Sequence, residues 1–168
     1  MFRNILVGVD GSPPAERALS EAIDIARSSR ARLTLIAAIA KPPGWIYTPM
    51  TACASRQLEI DFEREARETL CAAVDRVPLD TPVTKILSRE PIRDALRRET
   101  DSGRYDLLVI GASSRHAPAR RRGGVKRYVP GHCKLPVLIV GDERQPVPAP
   151  GEAPDAPPLG RRPIVAPS

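Results

Sequence analysis

Aromatic and sulfur-bearing residues are scarce in this chain of 168 residues. Phe, Tyr and Trp together make up 4% of the sequence, and there are three cysteines and two histidines. Cys53, Cys71 and Cys133 lie far apart and form no C-x-x-C pair, which argues against both a disulfide framework and a zinc site. We therefore expect all three thiols to be reduced.

Long hydrophobic runs are also missing. The longest largely apolar stretch in the body of the chain, residues 33–40, falls far short of the roughly 20 residues that a membrane-spanning helix needs. The first residues do not combine a basic region with a cleavable apolar segment, as a secretory signal would. We expect a cytoplasmic protein.

The sequence lacks the common motifs of catalytic and phosphate-binding sites. There is no G-x-S-x-G, no G-x-x-x-x-G-K-(S/T) and no G-x-G-x-x-G. The two histidines, His116 and His132, have no carboxylates or cysteines arranged around them for a metal, and the adjacent His132 and Cys133 side chains point in different directions. We expect neither a catalytic group nor a metal site.

What is present is the pattern of one α/β domain. A hydrophobic content of 42% is ordinary for a globular domain of this length, and the net charge of +6 permits an anionic ligand or nucleic acid. Short apolar runs alternate with segments of helical periodicity. The predicted strands contain Ile5 to Val9, 33–40, 82–88, 106–111 and 136–141, and the predicted helices are 13–29, 53–77, 91–102 and a short one at 125–129.

Alternating strands and helices with short connections predict a parallel sheet between helical layers, with right-handed crossovers. Arg and Glu residues of the helix at 53–77 are expected on its solvated side. From Gln145 onward the chain has eight prolines in 24 residues and almost no large apolar side chains. We therefore predict a domain at 1–144 and a disordered or extended tail at 145–168.

The first strand delivers a carboxylate to the edge of the predicted sheet. Asp10 follows the buried run directly, and Gly11 and Ser12 supply a turn and a helix N-cap. Ligands of open α/β sheets collect at the carboxyl ends of strands. Asp10 is therefore the first candidate for a ligand-binding residue.

Three segments together resemble the universal stress protein family. They are Asn4-Ile-Leu-Val-Gly-Val-Asp-Gly-Ser12, Tyr105-Asp-Leu-Leu-Val-Ile-Gly111, and Gly124-Val-Lys-Arg-Tyr-Val129 leading to Leu135-Pro-Val-Leu-Ile-Val140. The resemblance covers residues 2–141. It implies a three-layer α/β/α sandwich of the adenine nucleotide alpha hydrolase-like type, with a five-stranded parallel sheet in the order 3-2-1-4-5. It also implies a homodimer formed through the last strand, Val137 to Val140, and a role in stress adaptation without a defined catalytic activity.

The nucleotide-binding branch of that family carries the motif G-x2-G-x9-G-(S/T), which this sequence matches in part. Gly111 matches the first glycine, Ser114 stands at the second, and Gly124 and Val125 stand at the final pair. A second register, with one loop residue deleted, makes Gly123 and Gly124 the final pair. Glycines at such positions let backbone amides approach phosphate.

The same resemblance assigns the nucleoside end of the site. It places Asp10 near the nucleoside with Gly8 beside it, and Ala38 where the backbone of the second strand meets adenine. In both registers the terminal hydroxyl is missing, and arginines in the same loop could replace its contact to phosphate. These arginines are Arg115, Arg120, Arg121 and Arg122.

The sequence thus predicts a non-catalytic stress-response or regulatory module that binds an adenine nucleotide such as ATP. One alternative is a slow ATP-hydrolysing or phosphotransfer enzyme, for which Asp10 is the obvious candidate to hold a metal or act as a base. Another is a basic nucleic-acid-associated protein. Nucleic acid is the less favoured partner because no interleaved aromatics or recognition helix accompany the arginines.

Overall fold

Five parallel strands and three helices form the part of the chain that the computed structural model describes, residues 1–40, 52–112, 131 and 133–141. The elements are β1 (Asn4–Gly8), α1 (Pro13–Ser29), β2 (Arg32–Ala38), α2 (Ala52–Asp75), β3 (Val83–Ser88), α3 (Ile92–Asp101), β4 (Leu107–Gly111) and β5 (Val137–Val140). The predicted short helix at 125–129 and the predicted tail at 145–168 lie outside the described residues.

The five strands form one sheet in the order β3-β2-β1-β4-β5. Every neighbouring pair is parallel, with Leu6 opposite both Thr34 of β2 and Leu108 of β4. This confirms the predicted parallel α/β fold and the strand order that the family resemblance implied.

The chain changes direction across the sheet at β1. From β1 it runs through β2 to β3 at one edge, and from β3 it returns to β4 on the other side of β1. Because each crossover is right-handed, the reversal puts α1 and α2 on one face of the sheet and α3 on the opposite face. Such a reversal of strand order opens a crevice at the carboxyl ends of the strands.

Two hydrophobic cores, one on each face, hold these layers together. Ile5 and Val7 of β1 pack with α1 and α2, whereas Leu6 between them packs with α3, and all three are fully buried. Successive side chains of a strand point to opposite faces, so a strand covered on both sides needs an unbroken apolar run. The first strand has that run, as predicted.

The sequence predicts the limits of α1 well because its end signals are strong. Ser12 is the N-cap, and its hydroxyl oxygen accepts a hydrogen bond from Ala15 N. Prolines occupy the first two helical positions, where a missing N–H costs nothing. Arg30 ends the helix in the left-handed conformation, and its N–H donates to carbonyls of the last turn.

Some strand ends differ from the prediction by one or two residues. β2 ends at Ala38 rather than at residue 40. Ala38 is also the last residue of β2 that pairs with β3, and its partner is Ser88. β4 begins at Leu107 rather than at Asp106. The Asp106 carboxylate instead accepts hydrogen bonds from Arg3 N at 2.8 Å and Asn4 N at 3.0 Å, so it joins the starts of β1 and β4.

Candidate functional site

A hydrogen-bonded turn at the end of β1 presents the Asp10 carboxylate. Ser12 N donates to Asp10 Oδ1 at 3.0 Å, which closes a short side-chain turn. Gly11 lies between them with a φ of 69°, a conformation that residues with a Cβ adopt at a cost. The same turn continues into the N-cap of α1. The position of the carboxylate is therefore set by the first turn of the helix.

A cleft opens between the ends of β1 and β2 and the side of α2. Val9 N still donates to Ile36 O at 2.9 Å, and beyond this bond the two strands part. The cleft is shallow and open to solvent, and it is lined by Val9, Asp10, Ala37, Ala38, Ala40, Phe62, Glu65, Ala66 and Thr69. Asp10 and Ala38, two of the residues that the family resemblance assigned to a nucleoside, thus line one cleft.

The α2 side of this cleft was not predicted. Phe62, Glu65, Ala66 and Thr69 follow one another at helical spacing and lie on one side of α2, all of them partly buried. The expectation that the charged residues of this helix lie on its solvated side is wrong for Glu65. The signal was present in the sequence, since Glu65 and Thr69 interrupt the apolar stripe that runs through Phe62, Ala66 and Leu70.

Gly111 lies where β4 comes closest to α1. A Cβ at this position would lie 2.6 Å from Ala15 N and 2.7 Å from the carbonyl carbon of Pro14. No real Cβ makes such contacts with backbone, so packing of β4 against the first turn of α1 requires a glycine here. A Cβ at Gly8 would meet only the Ile110 side chain, at 3.3 Å.

The profile of the universal stress protein family matches residues 1–141. The chain belongs to this family. A protein of Staphylococcus haemolyticus that is named as a universal stress protein is 27% identical over 153 residues, which cover 86% of this chain and 88% of the relative.

Solved structures of universal stress proteins share the fold. The protein UspA of Lactobacillus plantarum is 24% identical, with a TM-score of 0.66 over 82% of this chain and 97% of that one. A universal stress protein solved in complex with cAMP is 28% identical, with a TM-score of 0.50 over 83% of this chain and 96% of that one.

Hydrogen-bond acceptors dominate the cleft of this universal stress protein. Its lining includes the Asp10 and Glu65 carboxylates and the Thr69 hydroxyl, and the described residues that line it include no Lys or Arg. Carboxylate oxygens accept hydrogen bonds, and a hydroxyl both donates and accepts them. The remaining lining residues are apolar: Val9, Phe62 and four alanines.

The predicted phosphate end of the site lies mostly outside the described residues. This applies to Ser114, Gly123, Gly124 and Val125, and to the arginines Arg115, Arg120, Arg121 and Arg122. Within the described part of the chain, no group of three or more His, Cys, Asp or Glu side chains is placed to hold a metal. No described helix is long and apolar enough to cross a membrane.

Two groups with shifted pKa values lie just before β4 begins, at the end of the strands opposite the cleft. Hydrogen bonds from the backbone N–H groups of Arg3 and Asn4 lower the pKa of Asp106. Burial raises the pKa of Tyr105, whose hydroxyl donates to Glu99 Oε2 at 3.4 Å. Arg104 also pairs with this buried carboxylate, at 3.0 Å. These contacts fasten α3 and the start of β4 and do not reach the cleft.

Proposed function

We propose that this universal stress protein is a stress-response or regulatory module that binds an adenine nucleotide without turning it over. The observation that carries the proposal is the cleft in which Asp10 and Ala38 meet at the carboxyl ends of β1 and β2. This is the edge of the sheet where ligands of open α/β folds bind. The solved universal stress protein with cAMP, 28% identical to this chain, supports an adenine nucleotide as the ligand class.

The residues of the cleft fit a nucleoside. Asp10 is held at the strand end by its bond from Ser12 N, so its carboxylate is preorganised to accept hydrogen bonds from ribose hydroxyls. Ala37, Ala38 and Ala40 offer only small apolar side chains beside the strand end. A charged acceptor next to a small apolar surface matches the two parts of a nucleoside, the ribose and the base.

The phosphates, in this proposal, extend away from the two carboxylates of the cleft. They lie toward the end of β4, where Gly111 meets the first turn of α1. The family motif assigns Gly111, Ser114, Gly124 and Val125 to this end, with Gly123 in the second register. Arg115, Arg120, Arg121 and Arg122 supply the positive charge that the described cleft lacks.

Calorimetric titration of the full chain with ATP, AMP and cAMP tests the proposal. We expect saturable binding of at least one of them, and about tenfold weaker binding after Asp10→Asn, because the substitution replaces a charge-assisted hydrogen bond with a neutral one. Asp24→Asn is the matched control, since it removes the same charge from an exposed position on α1. This control should bind like the parent chain.

Two results would contradict the proposal. One is the absence of heat with every nucleotide up to millimolar concentration, for a chain that is folded by circular dichroism. The other is release of ADP that is abolished by Asp10→Asn, because that result would assign a catalytic step to the site and favour the slow ATP-hydrolysing alternative.

The proposal also covers the bounds of the domain, its cellular location and its oligomeric state. We place the domain at 1–144, since the family match ends at residue 141 and β5 ends at Val140. The proline-rich segment 145–168 is then an extension of this domain. We further propose a cytoplasmic homodimer joined through Val137 to Val140, an edge strand of the described sheet.

A further inference from the structure

We infer that an ion pair between Glu63 of α2 and Arg89, the residue that follows β3, positions the α2 side of the cleft and thereby affects the affinity of the cleft for its ligand. This inference rests on the proposed nucleotide-binding function and adds two positioning residues to it. Neither is among the described residues that line the cleft. Both therefore act through the position of the helix and not by touching the ligand.

The two halves of α2 are held in different ways. Leu70 and Ala73, in the second half, are buried and belong to the hydrophobic core that α2 shares with α1 and the sheet. Residues 56–69, which include every described α2 residue that lines the cleft, are all partly buried or exposed. A segment that buries little apolar area opens at a lower cost in free energy than one fixed in the core. The position of the first half therefore depends more on individual contacts.

Arg89 is fixed to the end of the sheet at which the cleft lies. It follows Ser88, the buried last residue of β3, which pairs with Ala38 at the end of β2. The Ser88 carbonyl accepts a hydrogen bond from Ile39 N at 2.9 Å, and the Ser88 hydroxyl accepts one from Glu90 N at 3.1 Å. The backbone is thus held on both sides of Arg89, beside a strand end that lines the cleft.

The Arg89 guanidinium reaches from this strand end to α2. Its Nη2 donates to Glu63 Oε2 at 3.0 Å. Arg67, one turn further along α2, donates to the other carboxylate oxygen of Glu63 at 2.8 Å and so restricts the Glu63 side chain. Glu63 directly follows Phe62, a residue that lines the cleft. The ion pair therefore joins the cleft-lining half of α2 to the end of β3.

Three variants test the inference: Glu63→Gln, Arg89→Gln and the double variant. Each is titrated calorimetrically with AMP and with adenosine, which carries no phosphate. We expect each single variant to bind both probes about threefold more weakly than the parent chain, because ion pairs of partly exposed side chains contribute modestly. The double variant should bind no more weakly than the single variants, since either substitution alone breaks the pair.

Hydrogen exchange shows whether the helix itself responds. The amides of residues 56–69 should exchange about threefold faster in Arg89→Gln, whereas those of residues 70–75 should not change. Arg64→Gln is the matched control, because Arg64 pairs with Asp61 at 2.8 Å within the same helix. This substitution removes a guanidinium from an ion pair of α2 without removing a contact to the sheet. It should bind both probes like the parent chain.

Three outcomes would overturn the inference while the proposed function stands. If Arg89→Gln weakens AMP much more than adenosine, the guanidinium contacts the phosphate directly. If the losses of the two single variants multiply to about ninefold in the double variant, the two residues act independently. If neither affinity nor exchange changes, the pair does not position the helix. A folded parent chain that binds neither probe would instead refute the proposed function, and the inference would fail with it.

Discussion

Gly111 is the residue at which sequence and structure suggest different roles. The motif assigns it to phosphate, whereas the structure shows that its missing Cβ lets β4 approach the backbone of Pro14 and Ala15. We expect Gly111→Ala to destabilise the fold by about 1–3 kcal/mol, because a Cβ at 2.6 Å from Ala15 N forces α1 and β4 apart. Urea denaturation measures this loss.

Gly141→Ala is the control for this substitution, since a Cβ at Gly141 meets nothing within 4 Å. Its stability should stay within about 0.5 kcal/mol of the parent. A Gly111→Ala chain as stable as the parent would contradict the packing role and leave phosphate binding as the reason for the glycine.

Asp106 makes the stability of the folded chain depend on pH. Its pKa is lowered from 3.8 in the folded chain because the carboxylate accepts the N–H groups of Arg3 and Asn4. A lowered folded pKa contributes stability above the unfolded pKa, and this contribution is lost as the pH falls through the folded value. We expect Asp106→Asn to be less stable than the parent at pH 7 by under about 1 kcal/mol, since the carboxylate is exposed to solvent.

The difference between the two chains should shrink as the pH falls below about 4, the usual range of an Asp carboxyl. Thermal denaturation between pH 7 and pH 2 measures it, with Asp24→Asn as the control for the loss of one negative charge. A difference that stays constant across this range would show that the hydrogen bonds of Asp106 do not depend on its ionisation.

The elements differ in how well the sequence predicts them, for physical reasons. α1 has a hydroxyl N-cap, two prolines at its start and a regular apolar stripe, so its limits are predicted exactly. Strand ends carry no such signals, because a strand ends where its neighbour stops pairing with it. β2 therefore ends two residues before the predicted position.

The order of the strands is not encoded in local patterns at all. An apolar run shows that a strand is buried on both faces, but it does not show which strand lies beside it. The order β3-β2-β1-β4-β5 came from the family resemblance, and the right-handed crossover rule then explains why α1 and α2 share one face.

The candidate site was predictable on its strand side and was missed on its helix side. Asp10 follows a buried strand directly, which is a strong positional signal. Glu65 and Thr69 are polar positions within a long charged helix, where a solvated side is the usual interpretation. Only the packing of α2 along the end of β2 shows that this part of the helix faces the cleft.

At the scale of the whole molecule, β5 forms one edge of the described sheet. Val137 to Val140 are apolar and partly exposed, although both hydrophobic cores extend to them. Within the described sheet, β5 pairs with β4 on one side only. An unpaired edge of this composition tends to pair with another chain. We therefore expect light scattering to give the mass of a dimer.

Ile139→Lys tests this expectation, because a lysine in the middle of an edge strand opposes pairing with a second strand. The variant should have the mass of a monomer at concentrations where the parent is a dimer, with far-UV circular dichroism confirming that it is folded. Thr84→Lys is the control, since Thr84 is an exposed residue of β3, the strand at the opposite edge. A folded Ile139→Lys dimer would contradict assembly through β5, and loss of the dimer in Thr84→Lys would move the interface to β3.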